Sequence, residues 1–233
     1  MDEKETSRFQ EQEQEKETGR IEAFSDGVFA VAITLLILNI QVPAKAQVLQ
    51  QAGNIDIALS KILLDNWTVY LAFLTSFATI GIMWINHHRL FNHIRSSDDT
   101  LLALNLLLLL LVVFVPFSTA LFAEYLTPTS HLPAVIYSAT FILLAICFNL
   151  LWRYASHNNR LLDNKADPQA VQAITRQYRF GPLLYLVAFG LAFLYAPTSL
   201  IWCLLLALFF ALPGQVVTQL PPIHMRMRRK QNR

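Results

Sequence analysis

Long uncharged, apolar runs dominate the chain from residue 27 onwards. A helix rises about 1.5 Å per residue, so roughly 18 to 20 residues are needed to cross the ~30 Å hydrocarbon core of a bilayer. Runs of this length occupy residues 27–44, 66–86, 100–123, 125–152 and 180–225. The last run is long enough for two spans, and the segment Ala196 to Ser199 near its middle favours a turn. The pattern therefore predicts an all-α integral membrane bundle of six transmembrane helices.

The positive charges predict the orientation of this bundle. Of the 18 lysines and arginines, only Lys45 and Lys61 fall in predicted outer segments. Lysine and arginine accumulate in cytoplasmic loops, so both termini are expected on the cytoplasmic side. The predicted domains are an acidic cytoplasmic tail (1–19), a six-span domain (20–220) and a basic cytoplasmic tail (221–233).

Two features outside the spans give weaker indications of structure. The glutamate-rich acidic tail is typical of a disordered segment, although it could extend the first helix inwards. A short interfacial helix is expected around residues 57–64 in the first outer segment. The inner loop between spans four and five contains Pro168, a helix breaker, and has no glycine-rich phosphate-binding pattern.

Composition agrees with a membrane protein. Hydrophobic residues make up 55% of the chain, charged residues only 15%, and the mean hydropathy is +0.42. Cys147 and Cys203 both lie in predicted spans, where a cysteine acts as a small apolar residue, and no disulfide is predicted.

Enzyme chemistry finds little support in the residues. Ser25, Asp26 and His87 are the right types for a catalytic triad, but adjacent residues of one helix point in different directions and no oxyanion-hole motif accompanies them. His87, His88 and His93 do not provide two ligands three or four residues apart on one helical face. We therefore predict a non-enzyme without a metal site, cofactor or nucleic-acid partner.

Asp26 stands out because it lies next to the first apolar run. Polar groups at membrane depth are costly, and they usually face a bundle interior, a water-filled path or a partner, which favours transport. At about 100° per residue, Gly27, Val31, Thr34, Leu35 and Leu38 share one arc of this helix, whereas Asp26 lies on the opposite side. Periodicity alone does not choose this face for a pore, because Thr34 is the only polar side chain in the interior of the span and an apolar stripe is typical of ordinary packing.

Two motifs carry a resemblance to a known family. Residues 20–36 read RIEAFSDGVFAVAITLL and contain the R-x-x-x-F-S-D signature, formed here by Arg20, Phe24, Ser25 and Asp26. In the second span, MWINHHRLF resembles the W-x-x-H-x-x-x-F element, with Trp84 and His87 as its first two members. Both resemble the transmembrane protein 175 family, the lysosomal potassium channels and their bacterial relatives, over the membrane domain from residue 20 to about 220.

The resemblance implies a potassium-permeable cation channel whose first helix lines a central pore. Animal members carry two six-span units per chain, so this single unit implies a homotetramer. The chain has no TVGYG filter loop. Counting from the aspartate instead places the constriction at Val31, further apolar layers at Leu35 and Leu38, and a pore-facing hydroxyl at Thr34.

The family pattern also implies a working model of the pore. An apolar constriction would act as a gate by dewetting, and the preference for potassium over sodium would be modest. Because Val31 stands where relatives carry isoleucine or leucine, the narrowest layer could shift to Leu35 or Leu38. The implied partners are potassium ions, membrane lipid and further copies of the chain, in what is expected to be a prokaryotic plasma membrane.

The polar residues of the signature are assigned a structural network. On the helix face away from the pore, Asp26 is expected to pair with His87, while Ser25 and Arg20 extend hydrogen bonds between spans one and two. Asn86, Asn105 and Asn149 are further candidates for hydrogen bonds between helices. A secondary transporter and a proton-permeable pathway stay open as alternatives, and protonation of His87 could couple pH to gating.

Overall fold

The computed structural model describes residues 3–50, 54–125, 130–163 and 166–212, with side chains from residue 17 onwards. These residues form helices and no extended sheet; the bridge between Ile94 and Leu162 is isolated. The helices are α1 (Glu3–Leu35), a 3₁₀ turn (Leu36–Asn39), α2 (Lys45–Leu49), α3 (Ile55–Asp65), α4 (Trp67–Phe91), α5 (Asp99–Tyr125), α6 (Leu132–Ser156), a second 3₁₀ turn (His157–Asn159), α7 (Pro168–Arg179), α8 (Gly181–Leu194) and α9 (Ala196–Ala211).

Five helical segments of the described chain are long and apolar enough to cross a membrane: Glu17–Asn39, Trp67–Phe91, Asp99–Tyr125, Leu132–Asn159 and Pro168–Leu194. The predicted all-α membrane bundle is therefore confirmed. The predicted sixth span corresponds to α9, which is apolar but has 16 residues and is only about 24 Å long. The chain turns between α8 and α9 at Tyr195, where the backbone is extended, and Pro197 stands in the first turn of α9.

The bundle has a clear centre and a clear edge. Helix α6 packs against α5, α7, α8 and α9, and 56% of the 18-residue apolar stretch within its span is buried. Its aromatic side chains Tyr137 and Phe141 meet edge to face at 4.8 Å, and Phe141 stacks on Tyr185 of α8 at 6.0 Å. Helix α1 packs mainly against α4 and α5, and only 28% of the corresponding apolar stretch of α1 is buried.

Two sequence predictions outside the spans need correction. Helix α1 begins at Glu3, so the acidic tail extends the first helix and the disordered alternative is wrong. Pro168 does not break a helix but begins α7, because proline fits the first turn, where its missing N–H is not needed. The side chain of Asp167 caps this helix by accepting a hydrogen bond from the backbone N–H of Gln169 at 2.9 Å.

Other local predictions hold. The short helix predicted around residues 57–64 is α3, which is capped by Asn54; its position at the membrane interface stays a prediction. Cys147 and Cys203 are free thiols buried in the bundle. The predicted basic tail, residues 221–233, lies outside the described residues.

Candidate pore helix

Helix α1 leaves one apolar face uncovered. Val31 is 57% exposed, Leu35 39% and Leu38 70%, and Thr34 on the same face is also exposed. The opposite face carries the buried residues Ile21, Ser25, Phe29, Ala32 and Leu36. The arc that the helical wheel grouped is therefore the arc that no other part of the described subunit covers.

The end of α1 keeps these residues aligned. At Leu36 the helix tightens into a 3₁₀ turn, in which residues three apart lie one above the other. Leu38 is thereby placed almost directly above Leu35. Asn39 closes the turn and anchors it to α5 by donating from its side-chain amide to the carbonyl of Pro116 at 3.1 Å.

Thr34 is the polar exception on this uncovered face. Its hydroxyl donates to the carbonyl of Val31 at 2.8 Å, within the same helix. The proton is thus directed at the backbone, and the oxygen keeps its lone pairs for an outside partner. A cation is such a partner, since hydroxyl oxygens are acceptors.

The covered side of α1 holds a hydrogen-bond chain that joins three helices. Ser25 donates to the carbonyl of Ile21 at 2.8 Å and accepts from the Asn105 amide of α5 at 2.9 Å. The carbonyl oxygen of that amide lies 2.9 Å from Nε2 of His87 on α4. The His87 ring is fully buried between Phe29 and Phe91, with ring centroids at 5.5 and 4.4 Å.

Asp26 and His87 do not form the direct pair expected from the sequence. The carboxylate of Asp26 accepts instead from the indole N–H of Trp84 at 2.8 Å, whereas His87 is bonded to Asn105. The predicted network members Ser25, Asp26, Trp84 and His87 thus belong to two separate contacts between α1 and its neighbours. The remaining two members, Arg20 and Phe24, lie on the exposed side of α1.

A third contact between α1 and its neighbours is not among those expected from the sequence. Glu22 lies one turn before Asp26 on α1, and its carboxylate is 2.5 Å from Nδ1 of His88, one turn after Trp84 on α4. The i, i+4 spacing of both pairs on antiparallel helices is the signal that could have revealed it. All three asparagines singled out in the spans bond to other helices: Asn105 as above, Asn86 to the carbonyl of Phe210, and Asn149 to that of Tyr178.

The three histidines clustered near the end of α4 make three unrelated contacts. His87 bonds Asn105, His88 bonds Glu22, and Nδ1 of His93 lies 2.8 Å from the carbonyl oxygen of Arg89. Within the described ranges no group of three or more histidine, cysteine, aspartate or glutamate side chains is arranged to hold a metal ion.

Comparison with known proteins identifies the family. A family model described as the endosomal/lysosomal potassium channel TMEM175 matches residues 20–116. A protein of Chamaesiphon minutus named a potassium channel is 52% identical over 200 residues, which cover 85% of this chain and 96% of the relative. The chain belongs to the TMEM175 family. The residues that match the TMEM175 model run from Arg20 to Pro116. They include the membrane part of α1, which is the candidate pore helix, together with all of α4 and most of α5, the two helices to which α1 is hydrogen-bonded.

A solved structure and an animal relative extend this result. The crystal structure of a potassium-selective TMEM175 homologue from Chamaesiphon minutus superposes with a TM-score of 0.75 at 49% identity, covering 85% of this chain and 98% of that one. The human endosomal/lysosomal proton channel TMEM175 is 40% identical over 144 residues, covering 58% of this chain and 27% of the human protein. The resemblance seen in the two sequence motifs is thus confirmed.

Proposed function

We propose that the chain is the subunit of a potassium-permeable cation channel, a homotetramer in which four copies of α1 surround the pore. The observation that carries this proposal is the uncovered apolar face of α1, interrupted by Thr34. TMEM175 relatives that match almost their whole length are named potassium channels, which supports the same function.

The pore would consist of stacked side-chain rings. Val31, Leu35 and Leu38 would each contribute one apolar ring, and Thr34 a ring of hydroxyl oxygens. An apolar ring offers no ligand to replace the water around a cation, so a narrow ring dewets and blocks the ion, while a wider one passes it with part of its hydration shell.

The choice of the narrowest ring follows from side-chain size and exposure. Valine is one carbon smaller than leucine, so a ring of Val31 is wider than a ring of leucine on the same backbone. Leu38 is the most exposed of the three apolar residues, so it is the least covered by its own subunit. We therefore place the tightest constriction at Leu35 or Leu38 rather than at Val31.

The hydroxyl ring supplies the only side-chain oxygens among these four layers. A partly dehydrated cation would be met by the Thr34 oxygens, which are oriented by their bond to Val31. Four hydroxyls on a wide ring discriminate ions by size and hydration only, which gives a modest preference for potassium over sodium.

The proposed topology has six spans with both termini on the cytoplasmic side of a prokaryotic plasma membrane. Helix α9 returns the chain across the membrane as the sixth span. Its short length of about 24 Å is compatible with local thinning of the bilayer. In this orientation Arg89, in the last turn of α4, and Arg95, after its end, lie on the inner side, whereas Lys45 and Lys61 lie on the outer side. This is the distribution of positive charge expected for it.

The decisive experiment is reconstitution of the purified chain into vesicles, with currents measured under potassium and sodium gradients. A reversal potential that follows the potassium gradient more closely than the sodium gradient is expected. Flux that saturates at low ion concentration without a resolvable current would instead favour a secondary transporter.

A matched pair of variants tests the role of the α1 face. The double substitution Leu35→Ala/Leu38→Ala widens both layers proposed for the constriction and should raise the potassium current. Leu107→Ala/Leu110→Ala on α5 removes the same atoms from two leucines that have the same spacing and are also exposed, at 45% and 66%, but do not lie on α1, and should leave the current unchanged. Equal effects of both substitutions would contradict the pore assignment.

Proton permeation is the second candidate function, because the human relative is named a proton channel. The same vesicles under a pH gradient, with potassium and sodium equal on both sides, measure it directly. A reversal potential that follows the pH gradient would add protons to the permeant ions.

A further inference from the structure

A groove at the inner ends of α5 and α6 combines basic and apolar side chains. It encloses about 380 Å³ and is lined by Leu104, Leu150, Arg153, Tyr154, His157 and Arg160. We refer to it as the basic groove. Leu104 lies in α5 and Leu150 in α6, both within candidate membrane spans, whereas His157 and Arg160 follow the end of α6. The groove thus crosses the boundary between the apolar bundle and the inner loops.

Arg153 is the first basic group of the groove. Its side chain is exposed, and it has no hydrogen bond or ion pair with any residue in the described part of the chain. An arginine carries five N–H donors and stays charged under all relevant conditions. Its donors therefore remain available to an anion from outside the protein.

Arg160 is the second basic group, and it is held in place. Its guanidinium donates to the carboxylate of Asp98 and to the hydroxyl of Tyr154, and it lies 5.3 Å from the centroid of the Tyr154 ring. Both hydrogen bonds use the same nitrogen, Nη2, so the other nitrogens of the fork are left for a second acceptor. The side chain is 60% exposed and can be reached from the groove.

Asp98 is the carboxylate that would oppose an anion here, but its own charge is already engaged. It accepts from the backbone N–H of Leu101 at 2.9 Å and from the Tyr154 hydroxyl at 2.7 Å, in addition to Arg160. Burial alone would raise the pKa of Asp98, but these hydrogen bonds and the charge of Arg160 outweigh it and hold the pKa below its ordinary value. Asp98 therefore acts as the counter-charge that positions Arg160.

His157 completes the polar wall of the groove. Its Nε2 is 3.3 Å from the side-chain amide of Asn158, which can only donate, so Nε2 accepts. The proton of the neutral ring must then sit on Nδ1, which can donate to a ligand. Arginine and histidine donors that line one groove suit a phosphate group, and basic pockets on the inner side of membrane helices are known to hold anionic headgroups.

We propose that the basic groove binds an anionic phospholipid of the inner leaflet. Arg153, His157 and Arg160 contact the phosphate, and an acyl chain lies along Leu104 and Leu150. The occupant is a lipid rather than a soluble phosphate, because the basic groups adjoin apolar side chains of two helices that are apolar enough to cross a membrane; Leu150 is 48% exposed there. The proposal does not depend on the channel function.

Native mass spectrometry of the purified full chain tests this proposal. Protein would be extracted from vesicles that contain equal amounts of phosphatidylglycerol and phosphatidylcholine, and the retained lipids counted. Retention of phosphatidylglycerol over phosphatidylcholine is expected. Loss of one charge-assisted contact in Arg153→Gln should lower the retention of phosphatidylglycerol about tenfold.

Two control variants separate the groove from general surface charge. Arg176→Gln removes an exposed arginine from the last turn of α7, outside the groove, and should retain phosphatidylglycerol like the unchanged protein. Arg153→Lys keeps the charge and should restore part of the retention. Equal loss in Arg153→Gln and Arg176→Gln would overturn the proposal, as would unchanged retention in Arg153→Gln.

A competition arm distinguishes a lipid from a free phosphate. Glycerol phosphate carries a similar charged group without acyl chains and should not displace phosphatidylglycerol at equal concentration. Displacement by glycerol phosphate would show that the apolar wall contributes nothing and would overturn the assignment to a lipid.

Discussion

Helices α6 and α1 are both long and apolar, yet the fold places them in opposite surroundings. Helix α6 is enclosed by four neighbours and fills its contacts with aromatic rings, whereas α1 lies at the edge and leaves Val31, Leu35 and Leu38 uncovered. The mean hydropathy of the apolar stretch is similar in the two helices, 2.2 in α6 and 2.0 in α1. A high hydropathy therefore indicates that a helix lies in the membrane. Which face of the helix stays uncovered is determined by its polar contacts and by its packing against other helices.

The anchors of the two helices differ in the same way. In the second turn of α6, the Tyr137 hydroxyl shares a buried hydrogen bond with Ser76, at 3.0 Å, and the neighbouring contacts are aromatic. Helix α1 is fixed by polar contacts on one side only, through Ser25, Asp26 and Glu22. One-sided anchoring holds the helix at a defined rotation while its other side stays available, which is what a pore-lining element requires.

The largest effect is expected from a substitution in the centre of α6. Phe141→Ala removes a fully buried ring between Tyr137 and Tyr185 and should lower the free energy of unfolding by roughly 2–3 kcal/mol, less than in a soluble core because lipid replaces water as the reference environment. Thermal unfolding in detergent measures the loss. Leu38→Ala is the control on α1 and should change subunit stability by less than about 1 kcal/mol, because Leu38 is 70% exposed. Equal losses would remove the contrast between the two helices.

The second largest effect is expected at Asn105. Asn105→Leu leaves Nε2 of the buried His87 without a partner and removes one of the two hydrogen bonds of Ser25, which keeps its bond to the carbonyl of Ile21; the expected cost is roughly 2 kcal/mol. Unfolding of this variant, of Ser25→Ala and of the double variant forms a thermodynamic cycle. The double variant should lose less than the sum, since both substitutions break the same contact; strict additivity would mean that the chain of bonds has no joint effect.

Trp84→Phe should have a smaller effect on stability. It removes the N–H that bonds Asp26 but keeps an aromatic ring, and Trp84 is 42% exposed, so water can partly replace the bond and the loss is expected to be about 1 kcal/mol. Oligomer yield in size-exclusion chromatography should fall, while the ratio of potassium to sodium permeability in the assembled fraction stays unchanged. Altered selectivity in a fully assembled variant would place Asp26 in the ion path.

Thr34→Val should act on selectivity and hardly on stability. The valine keeps the shape of threonine and removes the exposed oxygen, so the preference for potassium over sodium should fall with little change in unfolding. Reversal potentials under opposed potassium and sodium gradients measure the preference. If the potential matches that of the unchanged channel, the Thr34 hydroxyl does not contact the ion.

The smallest effect concerns pH and Asp98. The hydrogen bonds and Arg160 hold the pKa of Asp98 below its ordinary value of about 4, so its contribution to stability is present at neutral pH and is lost as the pH falls through the lowered pKa. The difference in melting temperature between Asp98→Asn and the unchanged protein should therefore shrink below about pH 4. Asp99→Asn removes a neighbouring carboxylate that is exposed, and it serves as the matched control for the loss of one negative charge.

The sequence predicts the free face of α1 well but its polar contacts poorly, for physical reasons. Helical periodicity groups Val31, Thr34, Leu35 and Leu38 by angle, but only the resemblance to the family selected this arc as the free face; the 3₁₀ turn changes only the alignment of Leu38. Which polar groups meet across helices depends on helix offset, which no single helix encodes. His87 thus bonds Asn105, and Trp84 takes the place assigned to His87 beside Asp26.

The same distinction explains the errors outside the spans. Composition indicated disorder for the acidic tail, but helix propagation from a formed membrane segment adds one bond per residue without a new nucleation step, and α1 extends to Glu3. Proline breaks a helix when it stands inside it, which is the basis of the prediction for Pro168. Directly after the capping residue Asp167, however, proline is the first residue of a helix. In both cases the residue type was informative and its context decided the outcome.

The unbroken length of α1 has a mechanical consequence. From Glu3 to Leu35 it is a single helix of 33 residues, about 50 Å long, so the part before the membrane and the part with the uncovered face turn together as one rod. The hydroxyl of Thr18 bonds the carbonyl of Arg95 at 3.0 Å near the point where this rod enters the bundle. A twist applied to the first 17 residues about this pivot would reach Val31 and Leu35 without any intervening hinge loop.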